Sequence, residues 1–366
     1  MRTPELLSDP VYHDEEAARL YLQEVRWPGG VFCPFCGTLD DIKPLGGESM
    51  GLGWFYCPHC QDKFTVRVGS VMERSHIPLT KWLLAFRLMA SSKKGVSAHQ
   101  LHRTLRITYK SAWFLAHRIR EAMTDTDPAP LGGEGKIIEA DETYIGRSGD
   151  PKDTEFVSGK GWQRKGGDEK MIAMTLVERG GKARSVHIDR ASAAELNRVL
   201  TEKADPQTKL MTDDAKAYRR PGRGFVSHDT VNHSAEEYVR KLPDGTKAHT
   251  NMVEGYYSIF KRGMKGIYQH CTEKHLHRYL AEFDFRYSNR IKLGVDDSER
   301  TLRAIKGAAG KRLTYRRTRN PTPITATRAR RQVAQARRAA YRHGRYRDLD
   351  VQSFGNQQDV YGADHR

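Results

Sequence analysis

The sequence of 366 residues lacks several features that would assign it to a broad class of protein. It has no run of about 18 apolar residues, so we expect no membrane-spanning helix and no membrane partner. Its first residues, "MRTPELLSDPVYHDEEAARL", contain no apolar signal segment, which predicts a cytoplasmic protein. Hydrophobic residues make up 38% of the chain, which excludes a disordered polymer and is enough for two or three domains.

Acidic residues are missing from the segment between Lys311 and Arg347, which contains thirteen Lys and Arg residues. The formal net charge of the whole chain is +17, so the remainder carries only +4. A block of like charge usually stays solvated and often binds nucleic acid. We therefore predict a polyanionic partner and a basic, flexible C-terminal tail over 311–366.

Cysteine is scarce, but four of the five cysteines form two C-x-x-C pairs. Cys33, Cys36, Cys57 and Cys60 have the spacing C-x2-C-x20-C-x2-C, which fits a structural zinc site with four thiolates and no open position. The alternative is four unrelated thiols. Because Gly and Pro flank the pairs, as metal knuckles require, we predict an N-terminal helix and zinc ribbon over 14–70. Cys271 is expected to be a buried free thiol.

Residues 79–123 have the apolar spacing of helices. "LTKWLLAFRLMASS" predicts a helix capped by Thr80, Ser97 caps a second helix, and "RIT" forms a turn before a third helix over 109–123. A short helix, a tight turn and a longer basic helix are typical of a helix-turn-helix, and a plain helical bundle is the alternative. The candidate DNA contacts on the longer helix are Lys110, Arg118 and Arg120.

A Pro- and Gly-rich linker over 124–135 precedes a region with a different pattern. "KIIEADETYIG", "TKLMTDDAKAY" and "GFVSHDTVNH" read as strands, and "MIAMTLVERGGKARSVHID" reads as a hairpin. "SGKGWQRKGGDEK" reads as a basic loop, and helices are expected at 251–264 and 273–290. This order predicts a mixed α/β sheet flanked by helices over 136–295.

Three carboxylates in this region form a candidate metal site. Asp141 and Asp213, or its neighbour Asp214, stand at strand ends, and Glu254 stands on the helix "NMVEGYYSIFKRGMKG". Magnesium prefers oxygen ligands, and two such ions about 4 Å apart can promote phosphodiester chemistry without a protein nucleophile. Lys261 follows Glu254 by seven residues, so both side chains lie on one helix face.

Each acid also has a structural interpretation. Asp141 could be an ordinary turn residue, and Glu139 points to the same strand face and competes for its role. Asp213 and Asp214 could cap the following helix. If Asn251 is the N-cap residue, Glu254 occupies the position of a capping box.

Several blocks together resemble bacterial insertion-sequence transposases of the ISXO-like type, which have an N-terminal zinc ribbon and a DDE catalytic domain. The blocks occur in one order over roughly residues 15–295: "GSVMERSHIPLTKW", "GVSAHQL", "EADETYIG", "TDDAKAY", "HDTVNHSAEEYV", "HTNMVEGYYSIFKRGMKGIY" and "KHLHRYLAEFDFRYSNR". The resemblance implies a ribonuclease-H-like catalytic domain over 136–295. It implies catalytic roles for Asp141, Asp213, Glu254 and Lys261. Some relatives use asparagine as the third metal ligand, so Asn251 is a second candidate for that role.

The implied reaction is DNA transposition, with Mg²⁺ or Mn²⁺ as the catalytic cofactor and structural Zn²⁺ in the ribbon. Cleavage at the terminal inverted repeats frees a 3′-hydroxyl, which then attacks target DNA in a strand transfer. The implied partners are double-stranded DNA and further copies of the chain, with no small-molecule substrate and a location at the bacterial nucleoid. Arg262 and Lys265 are candidate phosphate contacts. The alternatives are a DNA-binding regulator with an inert transposase fold and a ribonuclease-H-like nuclease.

Overall fold

The computed structural model describes residues 7–47, 50–127, 129–146, 154–159, 161–164 and 170–314. These belong to a unit that spans Met1–Tyr315, and the predicted basic tail lies outside the described residues from 315 onward. None of the helices in the described ranges is both long and apolar enough to cross a membrane.

The helices and strands are numbered here in chain order. The α-helices within the described residues are α1 (Glu15–Arg26), α2 (Leu79–Ser91), α3 (Ala98–Leu105), α4 (Tyr109–Met123), α5 (Ala193–Lys203), α6 (Asn251–Gly263), α7 (Glu273–Ser288) and α8 (Asp297–Lys306). The strands are β1 (Lys43–Leu45), β2 (Trp54–Cys57), β3 (Asp62–Phe64), β4 (Ile137–Ile145), β5 (Thr154–Val157), β6 (Gly161–Arg164), β7 (Met171–Glu178), β8 (Ala183–Ile188), β9 (Lys209–Asp213), β10 (Ser227–Val231), β11 (Arg240–Lys241) and β12 (Lys247–Ala248). A π-helical turn, Met264–Tyr268, continues α6.

The N-terminal part combines α1 with a small antiparallel sheet in the order β1-β2-β3. Asp14 caps α1, because its side chain accepts a hydrogen bond from the backbone N–H of Glu16 at 3.0 Å. Trp27, just after the helix, packs edge-on against the rings of Phe55 and Phe64 on the sheet. These aromatic contacts join α1 to the hairpin that contains the second cysteine pair.

The helix pair α3–α4 has capped ends and a tight turn. Ser97 caps α3 by accepting from the N–H of Gln100, and Thr108 caps α4 by accepting from the N–H of Ser111. Between them, Arg106 has a φ of 49°, the left-handed conformation that ends many helices. The helices predicted over 79–123 are therefore present, and their DNA-binding role stays a prediction.

The central sheet has the order β10-β9-β4-β7-β8 in the described part of the chain. Strand β7 is antiparallel to both β4 and β8, whereas β9 is parallel to both β4 and β10. Helix α5 connects β8 to β9 and so returns the chain to the other side of β4. Three antiparallel strands extended by two parallel ones form the sheet of a ribonuclease-H-like domain. The predicted mixed α/β fold class is confirmed.

Both faces of this sheet are covered, which explains the nearly continuous apolar run of β7. On one face, Ile138 of β4 packs in a cluster with Leu196 and Leu200 of α5. On the other face, α6 packs against β4 and β7 and α7 packs against β8. Their shared cluster includes the fully buried Phe260, a burial that stabilises the fold by about 1.5–3 kcal/mol. Since side chains alternate along a strand and Ile138 faces α5, Asp141 faces α6.

Three sequence predictions need correction. Helix α2 begins at Leu79 after Pro78 and has no side-chain cap from Thr80, because the carboxylate of Glu15 accepts the N–H groups of Leu79 and Thr80 instead. The segment predicted as a basic loop contains β6, which pairs with β5. Helix α8 was not predicted, although α2 packs against it.

Candidate active site and metal centre

The four paired cysteines converge from two turns, one before β1 with Cys33 and Cys36 and one between β2 and β3 with Cys57 and Cys60. The Sγ atoms of Cys33 and Cys60 are 3.9 Å apart, those of Cys36 and Cys57 are 3.7 Å apart, and all four lie within 4.8 Å of one another. A tetrahedral zinc ion with Zn–S bonds of about 2.3 Å needs Sγ–Sγ distances of about 3.8 Å, so the thiols fit zinc. Four unrelated thiols would not converge in this way.

Strands β4 and β9 place two of the predicted acids side by side. The parallel register pairs Glu139 with Met211, and Asp141 and Asp213 each lie two residues further along their strands. Their side chains therefore leave the sheet at the same level and on the same face. Asp214 is exposed, and the Oδ1 of Asp213 accepts the N–H of Ala215 at 3.2 Å, which is a local turn contact.

Helix α6 brings the third acid to the same end of the sheet. The hydroxyl of Tyr257 donates a hydrogen bond of 2.6 Å to the backbone oxygen of Asp141, which holds the helix against β4 at the site. Glu254 lies almost one turn before Tyr257 on the exposed side of α6, with 48% of its side chain exposed. The three acids thus come from two strands and one helix that pack together.

The electrostatic environment of Asp141 reflects this gathering of acids. Burial, and after it the negative charges of Glu142, Asp213 and Glu254, together raise the pKa of Asp141 to about 7 against the opposing effect of a backbone N–H. The repulsion is relieved when a cation binds among the carboxylates. Hard carboxylate oxygens are the donors that Mg²⁺ and Mn²⁺ prefer, so these residues fit such ions.

Glu142 is a fourth acid next to Asp141 but on the opposite face of β4, and sequence reasoning did not single it out. Its Oε2 accepts a hydrogen bond of 2.6 Å from the hydroxyl of Tyr218, and its burial raises its pKa. It faces α5 rather than α6, since it follows Asp141 on the strand. Its position directly after Asp141 was the signal that could have identified it.

The surroundings of Glu254 correct the predicted capping arrangement. Thr250, not Asn251, is the N-cap residue of α6, and Asn251 is the first helical residue and is exposed. The hydroxyl of Thr250 donates to Oε1 of Glu254 at 2.7 Å, and Nε2 of His233 lies 3.4 Å from the same oxygen. Glu254 is therefore oriented by Thr250 and His233 and does not form a capping box.

The spacing of the acids differs from that of the thiols. Among the described residues, two groups of potential ligands have all their donor atoms within 4.8 Å of one another, namely the four cysteines and the set His187, Asp189 and Glu273. Asp141, Asp213 and Glu254 are not such a group.

The exposed face of α6 and its continuation is basic beyond Glu254. Lys261, Arg262 and Lys265 are all exposed. Lys261 is two turns along the helix from Glu254, as predicted, so both groups can approach one ligand from the same side.

The three DNA contacts predicted on α4 differ in exposure. Lys110 is exposed, and Arg118 is partly buried, where its Nη1 donates to the backbone oxygen of Glu73. Arg120 is only 3% exposed, and its Nε donates to Glu282 at 2.7 Å. Arg120 is therefore corrected from a DNA contact to a packing residue, because a buried, paired guanidinium cannot reach a phosphate.

Comparisons with known proteins support the fold and the zinc ribbon. Residues 130–288 match a family model described as the ISXO2-like transposase domain, and residues 13–44 match one described as the transposase zinc-ribbon domain. The central domain of this chain therefore matches the family of ISXO2-like transposase domains. The predicted resemblance to insertion-sequence transposases is thus confirmed.

This transposase domain contains Asp141, Asp213, Glu254 and Lys261, and the zinc-ribbon match includes the first cysteine pair. The chain is 27% identical over 282 residues to a Halobacterium salinarum protein named "Uncharacterized protein in transposable element ISH50", a match covering 74% of this chain and 90% of that protein. A solved structure titled "Crystal structure of the mariner Mos1 paired end complex with Mg" matches 66% of this chain and 74% of that one, at 12% identity and a TM-score of 0.22. A TM-score this low supports no inference about this chain.

Proposed function

We propose that this protein is a DDE transposase that binds the terminal inverted repeats of an insertion sequence and catalyses strand cleavage and strand transfer. The observation that carries the proposal is the convergence of three carboxylates from β4, β9 and α6 at one end of the sheet. The negative charges of Asp213 and Glu254 both raise the pKa of Asp141, which supports a shared role for the three acids.

In this proposal Asp141, Asp213 and Glu254 hold Mg²⁺ or Mn²⁺ ions through their oxygens. When bound, two such ions activate the attacking oxygen and stabilise the leaving oxygen of a phosphodiester. Water is the attacking group in cleavage, and the freed 3′-hydroxyl is the attacking group in strand transfer. Thr250 and His233 restrict the orientation of the Glu254 carboxylate.

The basic residues have separate proposed tasks. Lys261 and Arg262 neutralise the phosphate next to the cleaved bond, and Lys265 contacts the backbone further along. The helix-turn-helix, with Lys110 and Arg118 on α4, reads the terminal repeat together with the ribbon. The tail over 311–366 adds affinity that is independent of sequence and sensitive to salt.

Two ends of an element must be held together for strand transfer. We therefore propose a homo-oligomer on DNA, and this follows from the reaction itself. Domain boundaries at 14–70, 79–123, 136–295 and 311–366, with a linker at 124–135, are proposed from the periodicity, composition and charge of the sequence.

The decisive experiment uses the full chain, Mn²⁺ or Mg²⁺ and a labelled duplex that carries the terminal repeat. Cleavage and binding are measured on the same samples for wild type, Asp141→Ala, Asp213→Asn and the matched neighbour control Asp214→Asn. We expect metal-dependent nicking that Asp141→Ala and Asp213→Asn abolish while binding persists, and that Asp214→Asn retains. A wild-type protein that binds the repeat tightly but never cuts or joins it would instead identify a DNA-binding regulator. A protein that cuts but never joins would identify a nuclease.

The third ligand is tested in the same assay. The negative charge of Glu254 contributes to the raised pKa of Asp141, which favours Glu254 over Asn251 as the third metal ligand. We expect Glu254→Ala to abolish nicking and Asn251→Ala to retain at least a tenth of it. The opposite result would assign the role to Asn251.

A further inference from the structure

Glu139 has an environment that its position in the sequence does not suggest. It precedes Asp141 by two residues on β4 and faces the same side of the sheet, yet its side chain is completely buried. A buried carboxylate is costly unless each oxygen is paired. Both oxygens of Glu139 are indeed engaged, so it has no oxygen left for a metal.

One oxygen caps the helix that bears the third acid. Oε2 of Glu139 accepts the backbone N–H groups of Met252 and Val253 at 2.7 and 3.2 Å. The first N–H groups of a helix have no partner inside the helix, and a negative charge there is favourable. Thr250, the N-cap residue, uses its hydroxyl on Glu254 and provides no side-chain cap. Glu139 on β4 therefore caps the N-terminus of α6, a role that the side chain of Thr250 does not fill.

The other oxygen of Glu139, Oε1, contacts the segment that leads into α6. Nε of Arg179, in the turn after β7, donates to Oε1 at 2.7 Å, and Nδ1 of His249 lies 3.0 Å from it. The same guanidinium donates to the backbone oxygens of Lys247 and His249 at 2.7 and 3.0 Å. The "Glu139 cluster" (Glu139, Arg179, His249 and the N–H groups of Met252 and Val253) thus fixes β4, the β7–β8 turn and the start of α6 to one another.

We propose that Glu139 is a positioning residue that sets the separation of Asp141 on β4 from Glu254 on α6, and with it the affinity of the acid site for divalent metal. It is two residues from one acid and contacts backbone groups one and two residues from the other. This inference rests on the proposed function, because it assumes that the three acids bind metal. Partners that orient metal ligands typically change metal affinity by about 10–100-fold when removed.

The test measures Mn²⁺ affinity by electron paramagnetic resonance on the full chain without DNA. The variants are Glu139→Ala, Glu139→Gln and, as the matched control, Glu282→Gln, which alters another fully buried, ion-paired carboxylate away from the start of α6. Asp141→Asn identifies the affinity that belongs to the acid site. Urea unfolding of each variant reports its stability independently.

We expect Glu139→Ala to weaken Mn²⁺ binding at least tenfold. Glu139→Gln should restore part of it, because the amide oxygen can still accept the N–H groups of Met252 and Val253. Glu282→Gln should lose stability and keep wild-type Mn²⁺ affinity. In cleavage assays, the Glu139 variants should need more Mn²⁺ for half-maximal rate and regain rate at saturating Mn²⁺.

Two results would overturn the proposal. In the first, folded Glu139→Ala binds Mn²⁺ as tightly as wild type while Asp141→Asn does not. In the second, Glu282→Gln loses as much affinity as the Glu139 variants for the same loss of stability. If wild type and Asp141→Asn bind Mn²⁺ equally, the proposed metal site itself fails and this inference falls with it, so the two failures are distinguishable.

Discussion

The carboxylate of Glu282 on α7 accepts a hydrogen bond of 2.7 Å from Nε of Arg120 on α4, and both side chains are buried. Arg286 also pairs with Glu282, and the hydroxyl of Tyr268 donates to it at 2.6 Å. Arg120 further lies over the ring of Tyr279 at 4.2 Å. The helix predicted to read DNA is therefore joined to the transposase domain through a buried ionic cluster.

We expect this cluster to be important for stability. Glu282→Leu should lower the free energy of unfolding by about 3–5 kcal/mol, because it leaves two buried guanidinium groups without a counter-charge. Arg120→Met should cost less, since Glu282 keeps Arg286 and Tyr268. Urea unfolding measures both.

The exposed pair Arg303–Glu299 on α8 provides the control. Glu299→Gln should change the free energy of unfolding by about 0.5 kcal/mol or less, because a solvent-exposed ion pair contributes little. Equal losses at Glu282 and Glu299 would contradict the importance of the buried cluster.

The sequence was most informative where the signal is local. The cysteine spacing, the alternation of β4 and the face shared by Glu254 and Lys261 depend only on the periods of turns, strands and helices. The cysteine pattern predicted the thiol cluster. Asp141, expected at a strand end, is instead the middle residue of β4, and the parallel register of β4 with β9 is what sets it level with Asp213.

The sequence failed where a distant partner decides the role of a residue. Arg120 looks like a solvent-exposed base on a helix, but its partner Glu282 is 162 residues away. Alternation along β4 correctly placed Glu139 on the same sheet face as Asp141. It could not reveal that both carboxylate oxygens of Glu139 accept hydrogen bonds from Arg179 and the start of α6. The sequence offered Asn251 as a possible N-cap of α6, whereas the N-cap is Thr250 and the capping carboxylate comes from Glu139 on β4, which local sequence could not reveal.

The thiol cluster predicts a dependence of the N-terminal part on zinc. Cys33→Ser should lower bound zinc from about one ion per chain to a small fraction and destabilise the ribbon, because a structural zinc site contributes directly to folding. Cys271→Ser should keep the zinc, since Cys271 lies outside the four-cysteine group. Metal analysis of the purified variants measures this, and full zinc content in Cys33→Ser would disprove the assignment.

Asp284 predicts a pH dependence of stability. Its burial raises its pKa to about 6, although Ser185 and Tyr256 both donate hydrogen bonds to it. In the unfolded chain the pKa is about 3.9, so the folded state binds this proton more tightly. The stabilisation is complete below about pH 4 and is lost as pH rises toward 6, by about 3 kcal/mol in total.

The measurement is the free energy of unfolding of wild type and Asp284→Asn at several pH values between 4 and 7.5. The wild-type value should fall relative to that of the variant across this range and level off above about pH 6. Asp214→Asn, at an exposed position, controls for the change of charge. A constant difference between wild type and Asp284→Asn would show that Asp284 does not titrate in this range.

The last prediction concerns Lys261 on α6, whose loss should reduce the cleavage rate much more than the affinity for DNA. If it holds the phosphate beside the cleaved bond, Lys261→Ala should slow cleavage of the terminal repeat by tenfold or more. Equilibrium binding should weaken only slightly, and the slope of log K against log salt should shrink by about 0.9, the value for one phosphate contact on duplex DNA. Lys261→Arg retains the charge and should recover much of the cleavage.

The comparison with Lys274→Ala, an exposed lysine on α7, decides whether position or charge alone matters. General loss of positive charge would weaken binding and slow cleavage to a similar extent in both alanine variants, because non-specific attraction depends on the total charge. If cleavage is lost in Lys261→Ala but not in Lys274→Ala, cleavage depends on the lysine on the face of α6 that also carries Glu254. Equal effects in the two variants would remove Lys261 from the proposed active site and leave the three acids to act without it.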